Sequence, residues 1–154
     1  MNDHNYFSWG RLKRTSAPKV FKPHDYQDLL KNLKKDRKLD KVLPVGMMRS
    51  YGDSCLVKDG ILLDMTGLKK INSFNEKSGL INVQAGISLD EFLKFTVPKG
   101  WFIPTSPGTK YVTIGGAIAN DIHGKNHHKF GSFCNSVKKM KILSSKGEIK
   151  ISKK

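Results

Sequence analysis

Residues 113–128 read TIGGAIANDIHGKNHH, and they are the most informative stretch of the chain. Two adjacent glycines, Gly115 and Gly116, stand among small residues, so a helix that starts here can pack closely against something flat or large. The first N–H groups of a helix have no partner inside it, and free N–H groups at a helix start are suited to phosphate. The stretch therefore predicts a tightly packed helix start over residues 113–119 that faces an anionic ligand.

Three histidines follow the glycines: His123, His127 and His128. Histidines four residues apart on a helix can share a metal ion. Gly124 interrupts such a helix, however, and no acidic residue or cysteine stands at a suitable spacing, so we predict no metal site. From the residues alone, His123 is more typical of a structural histidine than of a catalytic one.

An earlier stretch, residues 44–54 (PVGMMRSYGDS), follows a predicted strand at residues 41–45. A glycine-containing turn of this kind can aim backbone N–H groups at an anion and lets a phosphate approach the main chain. Arg49 supplies a fixed positive charge, and the neighbouring serine and tyrosine hydroxyls are further donors. The stretch matches neither the dinucleotide-binding GxGxxG pattern nor a P-loop. A plain tight turn therefore remains the alternative interpretation at this point.

Strands and short helices alternate along the rest of the chain, which indicates an α+β or α/β fold. Apolar residues at helical spacing predict a helix from Tyr26 onward. Ser88 and Glu91 match a capping box that opens a helix through Phe95, and residues 98–100 close it. Further strands are predicted at residues 61–64, 71–74 and 80–86, and a hairpin at residues 137–144 and 148–151 with its turn at Lys146-Gly147.

The formal net charge is +15, and 24 of the 28 basic residues are lysines. Bidentate contacts with phosphates and bases favour arginine, so this composition is typical of a solvated lysine-rich surface and we predict no nucleic-acid partner. The excess positive charge still attracts an anionic cofactor, a phosphorylated substrate or an acidic membrane surface.

No apolar run approaches the roughly 20 residues of a membrane helix, and the first residues lack the pattern of a signal peptide. These features predict a cytoplasmic protein and leave a peripheral membrane contact open. Cys55 and Cys134 are too few for a disulfide framework, and we expect two free thiols in a reducing compartment.

Taken together, the two glycine-bearing segments resemble the FAD-binding domain of the vanillyl-alcohol-oxidase superfamily. Within it the chain is similar to the decaprenylphosphoryl-β-D-ribose 2-oxidase group, the oxidative half of an epimerase pair in arabinose biosynthesis. The Gly-Gly-Ala and His-Gly core is shared with sugar-lactone and alditol oxidases, whereas the run over residues 121–128 is more specific. The matching pieces, in the family's order and spacing, are Trp9-Gly10-Arg11, residues 49–53, Pro107-Gly108-Thr109, residues 115–119 and residues 121–128.

The resemblance implies an α+β, PCMH-type FAD-binding fold of two small subdomains, each made of strands with flanking helices. Residues 1–154 are then expected to form the N-terminal portion of that domain, incomplete at the C-terminus. The substrate domain is expected from a later part of a longer protein or from a partner chain, so that this chain alone is inactive. The implied function is FAD-dependent oxidation of a small-molecule or lipid-linked sugar. An aldonolactone or alditol oxidase and a non-catalytic basic binding module remain the alternatives.

The resemblance also implies a cofactor site. The first segment holds the FAD pyrophosphate, the second lines the same cofactor, and His123 approaches the flavin ring and the substrate as the catalytic residue. Arg49 stands where some superfamily members carry a flavin-linked histidine, so FAD is expected to bind noncovalently, and Met48 stands where the family usually has a second glycine. The implied cofactor residues are Pro44, Val45, Gly46, Met47, Met48, Arg49, Ser50, Tyr51, Gly52, Asp53, Ser54, Gly108, Thr113, Ile114, Gly115, Gly116, Asn120, Asp121, Ile122 and His123.

Overall fold

A three-stranded parallel sheet forms the first part of the computed structural model, which describes residues 6–11, 19–35, 41–144 and 149–153. Strand β1 (Lys19–Phe21) leads through helix α1 (Tyr26–Lys35) to β2 (Val42–Val45). Strand β3 (Ile61–Asp64) pairs with both of them and lies in the middle. Every residue of β3 is buried, as expected for a parallel strand covered on both faces.

The two faces of β3 pack against different parts of the chain. Leu63 packs with Leu29 of α1, which confirms the helix predicted from apolar spacing. Leu62 faces the opposite way and packs with Val45 and Cys55. Both cysteines are free, as predicted, and burial raises the pKa of the Cys55 thiol.

A second core forms around helix α2 (Leu89–Thr96) and the short helix α3 (Ile114–Ala119). The antiparallel hairpin of β4 (Ile71–Asn75) and β5 (Leu80–Val83) packs its apolar side chains against this core. The predicted capping box is present: the Ser88 hydroxyl accepts from the Glu91 N–H at 3.1 Å, and the Glu91 carboxylate accepts from the Ser88 N–H at 3.2 Å.

The chain then passes through the short helix α4 (His127–Phe130) to a hairpin of β6 (Lys139–Leu143) and β7 (Ile149–Lys153). This antiparallel pair confirms the predicted hairpin, while its turn at Lys146-Gly147 lies outside the described residues. Within the described ranges, no helix is both long and apolar enough to cross a membrane. Single 3₁₀ turns lie at Met65–Gly67, Val97–Lys99 and Phe133–Ser136.

The α+β fold class is confirmed, with two differences from the sequence pattern. Strand β1 was not predicted, because three residues are too few to show the alternation of polar and apolar side chains that marks a strand. Strand β5 ends at Val83 rather than at Gly86. Past Val83 the ladder continues only in part: the N–H groups of Gln84 and Gly86 donate to the carbonyls of Lys70 and Leu68, but the Lys70 N–H donates to the side-chain Oε1 of Gln84 instead of to a main-chain carbonyl.

Asp64, at the end of β3, is a buried carboxylate that ties three segments together. It accepts hydrogen bonds from the Tyr6 hydroxyl at 2.8 Å and from the Thr66 hydroxyl and N–H at 2.6 and 2.9 Å, and Lys22 lies 3.4 Å away. Burial by itself raises the pKa of this carboxyl, but the hydrogen bonds and the lysine charge outweigh burial and hold the pKa below its usual value. Burial, followed by the bond to Asp64 and its charge, raises the pKa of Tyr6 to about 12.

We expect Asp64→Asn to lower the free energy of unfolding by about 1–3 kcal/mol near neutral pH, because a buried, charge-assisted network is weakened. A carboxyl whose pKa is lowered on folding stabilises the protein above its unfolded-state pKa and loses that effect as pH falls through the folded-state value. The difference between wild type and variant should therefore shrink below about pH 4. Urea unfolding across this pH range measures it.

Asp59→Asn is the matched control, because Asp59 is exposed and has a φ of +55° that asparagine also adopts. Equal unfolding free energies for wild type and Asp64→Asn near neutral pH contradict the role given to this network.

Candidate functional site

The two glycine-bearing segments meet where Gly46 packs against the side chain of Thr113. Gly46 follows β2 and begins loop 1 (residues 46–54), while Thr113 is the N-cap of α3. A Cβ placed on Gly46 collides with the Thr113 side chain, so any larger residue pushes loop 1 and α3 apart. The structure thus brings the two predicted cofactor segments together through a contact that requires glycine.

The N–H groups at the start of α3 are occupied by the protein itself. Ile114 donates to the Ile87 carbonyl at 2.9 Å, Gly115 to the Ala85 carbonyl at 2.7 Å, and Gly116 to the Thr113 hydroxyl at 3.1 Å. The prediction that this helix start offers free N–H groups to a phosphate is therefore wrong. The physical reason is close packing: a Cβ on Gly115 would lie 3.0 Å from Ala85, so the glycine admits the neighbouring strand end rather than a ligand.

Loop 1 has the opposite character. In the part of the chain that the structure describes, no backbone N–H from residue 46 to residue 52 donates a hydrogen bond to the protein. Gly52 has a φ of +66°, and a Cβ added there meets no atom within 4 Å. N–H groups without a protein partner, beside an open glycine, are suited to an anion that approaches the main chain. Among the predicted segments, loop 1 is thus the one with donors available for a phosphate.

Met48 occupies the left-handed region, with a φ of +54°. This conformation costs a non-glycine residue about 1–2 kcal/mol, which explains why a glycine suits this position. The Met48 side chain packs against the buried cluster of Val45, Cys55 and Leu62, and this burial offsets the cost. The turn keeps a glycine-like conformation although the residue differs from the family pattern.

Arg49 is held by two uncharged groups. Its guanidinium lies over the ring of Trp9, with 4.4 Å from Cζ to the ring centroid, and its Nη1 donates to the Met47 carbonyl at 3.1 Å. The tip of loop 1 is more open: Tyr51 is 86% exposed, and the Ser54 hydroxyl donates to the Tyr51 carbonyl at 3.3 Å. Pro44 and Val45 are the last residues of β2 and lead directly into loop 1.

Three predicted site residues after α3 are engaged in structural contacts. The Asn120 side chain donates to the Gly116 carbonyl at 2.8 Å, and the Asp121 carboxylate accepts from the Cys134 N–H at 3.0 Å. Ile122 packs against the core that contains α3. These contacts fix the path of the chain that leads to His123.

His123 is exposed, and its ring centroid lies 5.2 Å from that of His127. The Nδ1 atom of His127 lies 3.1 Å from the Gly124 carbonyl oxygen. Among the described residues, no three histidine, cysteine or acidic side chains are grouped so that they could hold a metal. The geometry leaves the His123 ring open to a ligand.

Gly108 lies beside α2 and not beside loop 1. It borders a cavity of about 310 Å³ whose walls come from α2 and the neighbouring loop, including Leu89, Leu93 and Phe102. No residue of loop 1 lines this cavity. The structure therefore does not join Gly108 to loop 1 through a shared cavity.

Sequence reasoning missed Trp9 and Asp64 as supports of the site. Trp9 was noticed within a family motif, but no local pattern pairs it with Arg49, 40 residues later. Asp64 carries no local signal for its bond to Tyr6, which is 58 residues away in the chain.

A family model described as "FAD binding domain" matches residues 17–152. Decaprenylphosphoryl-β-D-ribose oxidase of Mycolicibacterium smegmatis is 46% identical over 109 residues, which cover 71% of this chain and 24% of that protein. D-lactate dehydrogenase of Anaerostipes hadrus is 26% identical over 64% of this chain and 21% of its own length. D-2-hydroxyglutarate dehydrogenase of Bos taurus is 26% identical over 92% of this chain and 26% of its own length. The chain thus spans about a quarter of the length of these relatives.

We expect Gly46→Ala to destabilise the protein by about 1–3 kcal/mol, because its methyl group collides with Thr113. Thr113→Ala alone should cost about 1 kcal/mol through the lost N-cap. The double variant should cost less than the sum, since removing the threonine side chain makes room for the new methyl group. Urea unfolding of the four proteins measures the coupling, and strict additivity contradicts the contact.

Proposed function

This chain belongs to the FAD binding domain family and has FAD as its cofactor, and from that premise we propose that it is the cofactor-binding part of an oxidoreductase that oxidises a sugar hydroxyl. The substrate class that we propose is a polyprenyl-phosphate-linked ribose, with a place in the synthesis of arabinose precursors. Support comes from the identity of 46% with the ribose oxidase, against 26% with each of the two 2-hydroxyacid dehydrogenases.

Loop 1 is proposed to hold the FAD pyrophosphate, and one observation carries this assignment. The N–H groups of residues 46–52 are unpaired within the described chain, whereas those at the start of α3 all have protein partners. The oxygens of a pyrophosphate need several donors at once, and a loop with an open glycine and a nearby arginine provides them. In this proposal Thr113, Ile114, Gly115 and Gly116 fix the position of loop 1.

His123 is proposed to lie at the flavin and substrate end of the site. The contacts of Asn120, Asp121 and Ile122 fix the main chain, so the exposed ring of His123 is presented from a defined position. When bound, FAD supplies the ring that accepts a hydride from the carbon of the sugar hydroxyl. An imidazole at that place can bind the hydroxyl and accept its proton.

FAD is proposed to bind noncovalently, because Arg49 stands at the position in loop 1 where some superfamily members carry a flavin-linked histidine. The proposed partners are a lipid-linked or small sugar and the protein region that completes the substrate site. The net charge of +15 supports contact with the phosphate of a lipid-linked substrate at an acidic membrane surface.

The first test is the visible spectrum of the purified protein. We expect flavin absorbance bands, full release of FAD into the supernatant after acid precipitation, and rebinding of added FAD to the apoprotein. Flavin that stays in the pellet contradicts noncovalent binding, and a colourless protein that does not bind added FAD contradicts the proposed function.

The substrate class is tested by anaerobic bleaching of the flavin in the protein expressed from its complete reading frame. We expect polyprenylphosphoryl ribose to bleach it faster than an aldonolactone, an alditol or D-lactate. Faster bleaching by D-lactate assigns the protein to the hydroxyacid dehydrogenases instead.

We expect Gly52→Asn to weaken FAD binding by about tenfold or more while the apoprotein keeps its melting temperature. Asparagine tolerates the positive φ, but its side chain fills the open space that the phosphate needs. Gly100→Asn is the matched control, because Gly100 also has a positive φ and open space but lies after α2. Titration of the flavin fluorescence gives the affinities, and equal effects of the two substitutions contradict the assignment of loop 1.

A further inference from the structure

Trp9 and Arg49 form a pair in which an aromatic face orients a cation. The guanidinium carbon lies 4.4 Å from the centroid of the Trp9 ring, within the range of a cation–π interaction. A hydrogen bond of 3.1 Å from Nη1 to the Met47 carbonyl sets the direction of the guanidinium plane. Two contacts from different segments thus hold the Arg49 side chain in one orientation on loop 1.

Neither contact neutralises the charge of Arg49. Within the described parts of the chain, no carboxylate lies at ion-pairing distance from this guanidinium. Other cations in the structure are paired differently: Lys22, Lys69 and Lys110 each contact a carboxylate. An aromatic ring and a carbonyl hold a cation in place and leave its full positive charge available to an anion.

The segment that carries Trp9 is fixed to the sheet that supports loop 1. The Tyr6 hydroxyl donates to Asp64 at 2.8 Å, and the Tyr6 ring packs in the same cluster as Met48. On the other side of the tryptophan, the Arg11 N–H donates to the carbonyl of the buried Ser8 at 2.9 Å. Trp9 itself is 51% exposed, so its position depends on these neighbouring residues and not on burial in a hydrophobic core.

We propose that Trp9 is a positioning residue that orients the uncompensated charge of Arg49 toward a phosphate of the ligand bound at loop 1. This inference rests on the proposed function, since it requires a phosphate-bearing ligand such as FAD at that loop. It adds a residue from the start of the chain to a site otherwise built from residues 44–54 and 113–123, and it gives the Trp9 ring a role apart from contact with the ligand.

The experiment measures dissociation constants for FAD and for riboflavin, which lacks phosphate, at low and high salt. We expect Trp9→Leu to weaken FAD binding by about two- to fivefold at low salt, the range of an exposed cation–π contact. Trp9→Phe keeps an aromatic face and should stay within about twofold of wild type. Arg49→Gln should weaken FAD binding by about tenfold or more and reduce its salt dependence.

Two comparisons separate positioning from other roles of Trp9. In the Arg49→Gln background, Trp9→Leu should change the FAD affinity by less than about twofold, because the cation that it orients is gone. Riboflavin binding should be the same for wild type and Trp9→Leu. Trp101→Leu is the matched control on the β4–β5 side, where the indole donates to the Glu76 carbonyl, and it should leave FAD affinity unchanged.

A Trp9→Leu effect that persists without Arg49, or that weakens riboflavin equally, overturns the proposal and shows that Trp9 contacts the ligand itself. Melting temperatures of the apoproteins identify a variant that weakens binding only because it unfolds. If Trp9→Leu unfolds, a loss of FAD affinity of more than about twofold in the folded Trp9→Phe variant overturns the proposal. Failure of the wild-type protein to bind FAD contradicts the proposed function, whereas normal wild-type binding with an unaffected Trp9→Leu variant contradicts this inference alone.

Discussion

Gly46 and Thr113 approach each other so closely that no side chain fits between them, and the position of the site depends on this contact. On one side, Gly46 continues β2, whose place is fixed by pairing with the buried strand β3. On the other side, Thr113 caps α3, whose first N–H groups are bound to the carbonyls of Ala85 and Ile87. The contact therefore joins the parallel sheet to the second core and fixes the position of loop 1 relative to both. A phosphate site needs several donors held at fixed distances, and in the proposed FAD site this junction holds the donors of loop 1 in place.

The division of work between the two glycine-bearing segments follows from their hydrogen bonds. A helix start with free N–H groups is a ready anion site, but at α3 those groups are consumed by the packing that seats the helix. Loop 1 has the reverse arrangement, with few internal bonds and two residues, Met48 and Gly52, in the left-handed region. Arg49 adds a cation that is oriented without being neutralised. The helix α3 thus holds loop 1 in position, and loop 1 has the N–H groups that are available for binding.

Local chemistry made much of the fold predictable. Ser88 and Glu91 lie three residues apart and cap α2 through their own side chains, so the sequence suffices to place that helix start. The continuous apolar run of β3 and the helical spacing of the leucines in α1 are also visible in the sequence, because each pattern lies within a few consecutive residues. The role of Gly115 could not be predicted from the sequence. A pair of glycines is compatible both with close approach of a ligand and with close approach of a neighbouring main-chain carbonyl. Only the position of Ala85, which long-range pairing decides, separates these cases. The same holds for Trp9 over Arg49 and for Tyr6 on Asp64, where the partners are far apart in the chain.

In the proposed FAD site, the N–H groups of loop 1, and not those of α3, bind the phosphates. Hydrogen exchange of individual backbone amides, measured with and without FAD, distinguishes the two segments. We expect fast exchange at residues 46–52 in the apoprotein and marked slowing there when FAD binds. The amides of Ile114, Gly115 and Gly116 should already be protected without the cofactor, because they have protein partners. Unchanged exchange at residues 46–52 on FAD binding, with new protection at residues 114–116, would show that α3 and not loop 1 holds the phosphates.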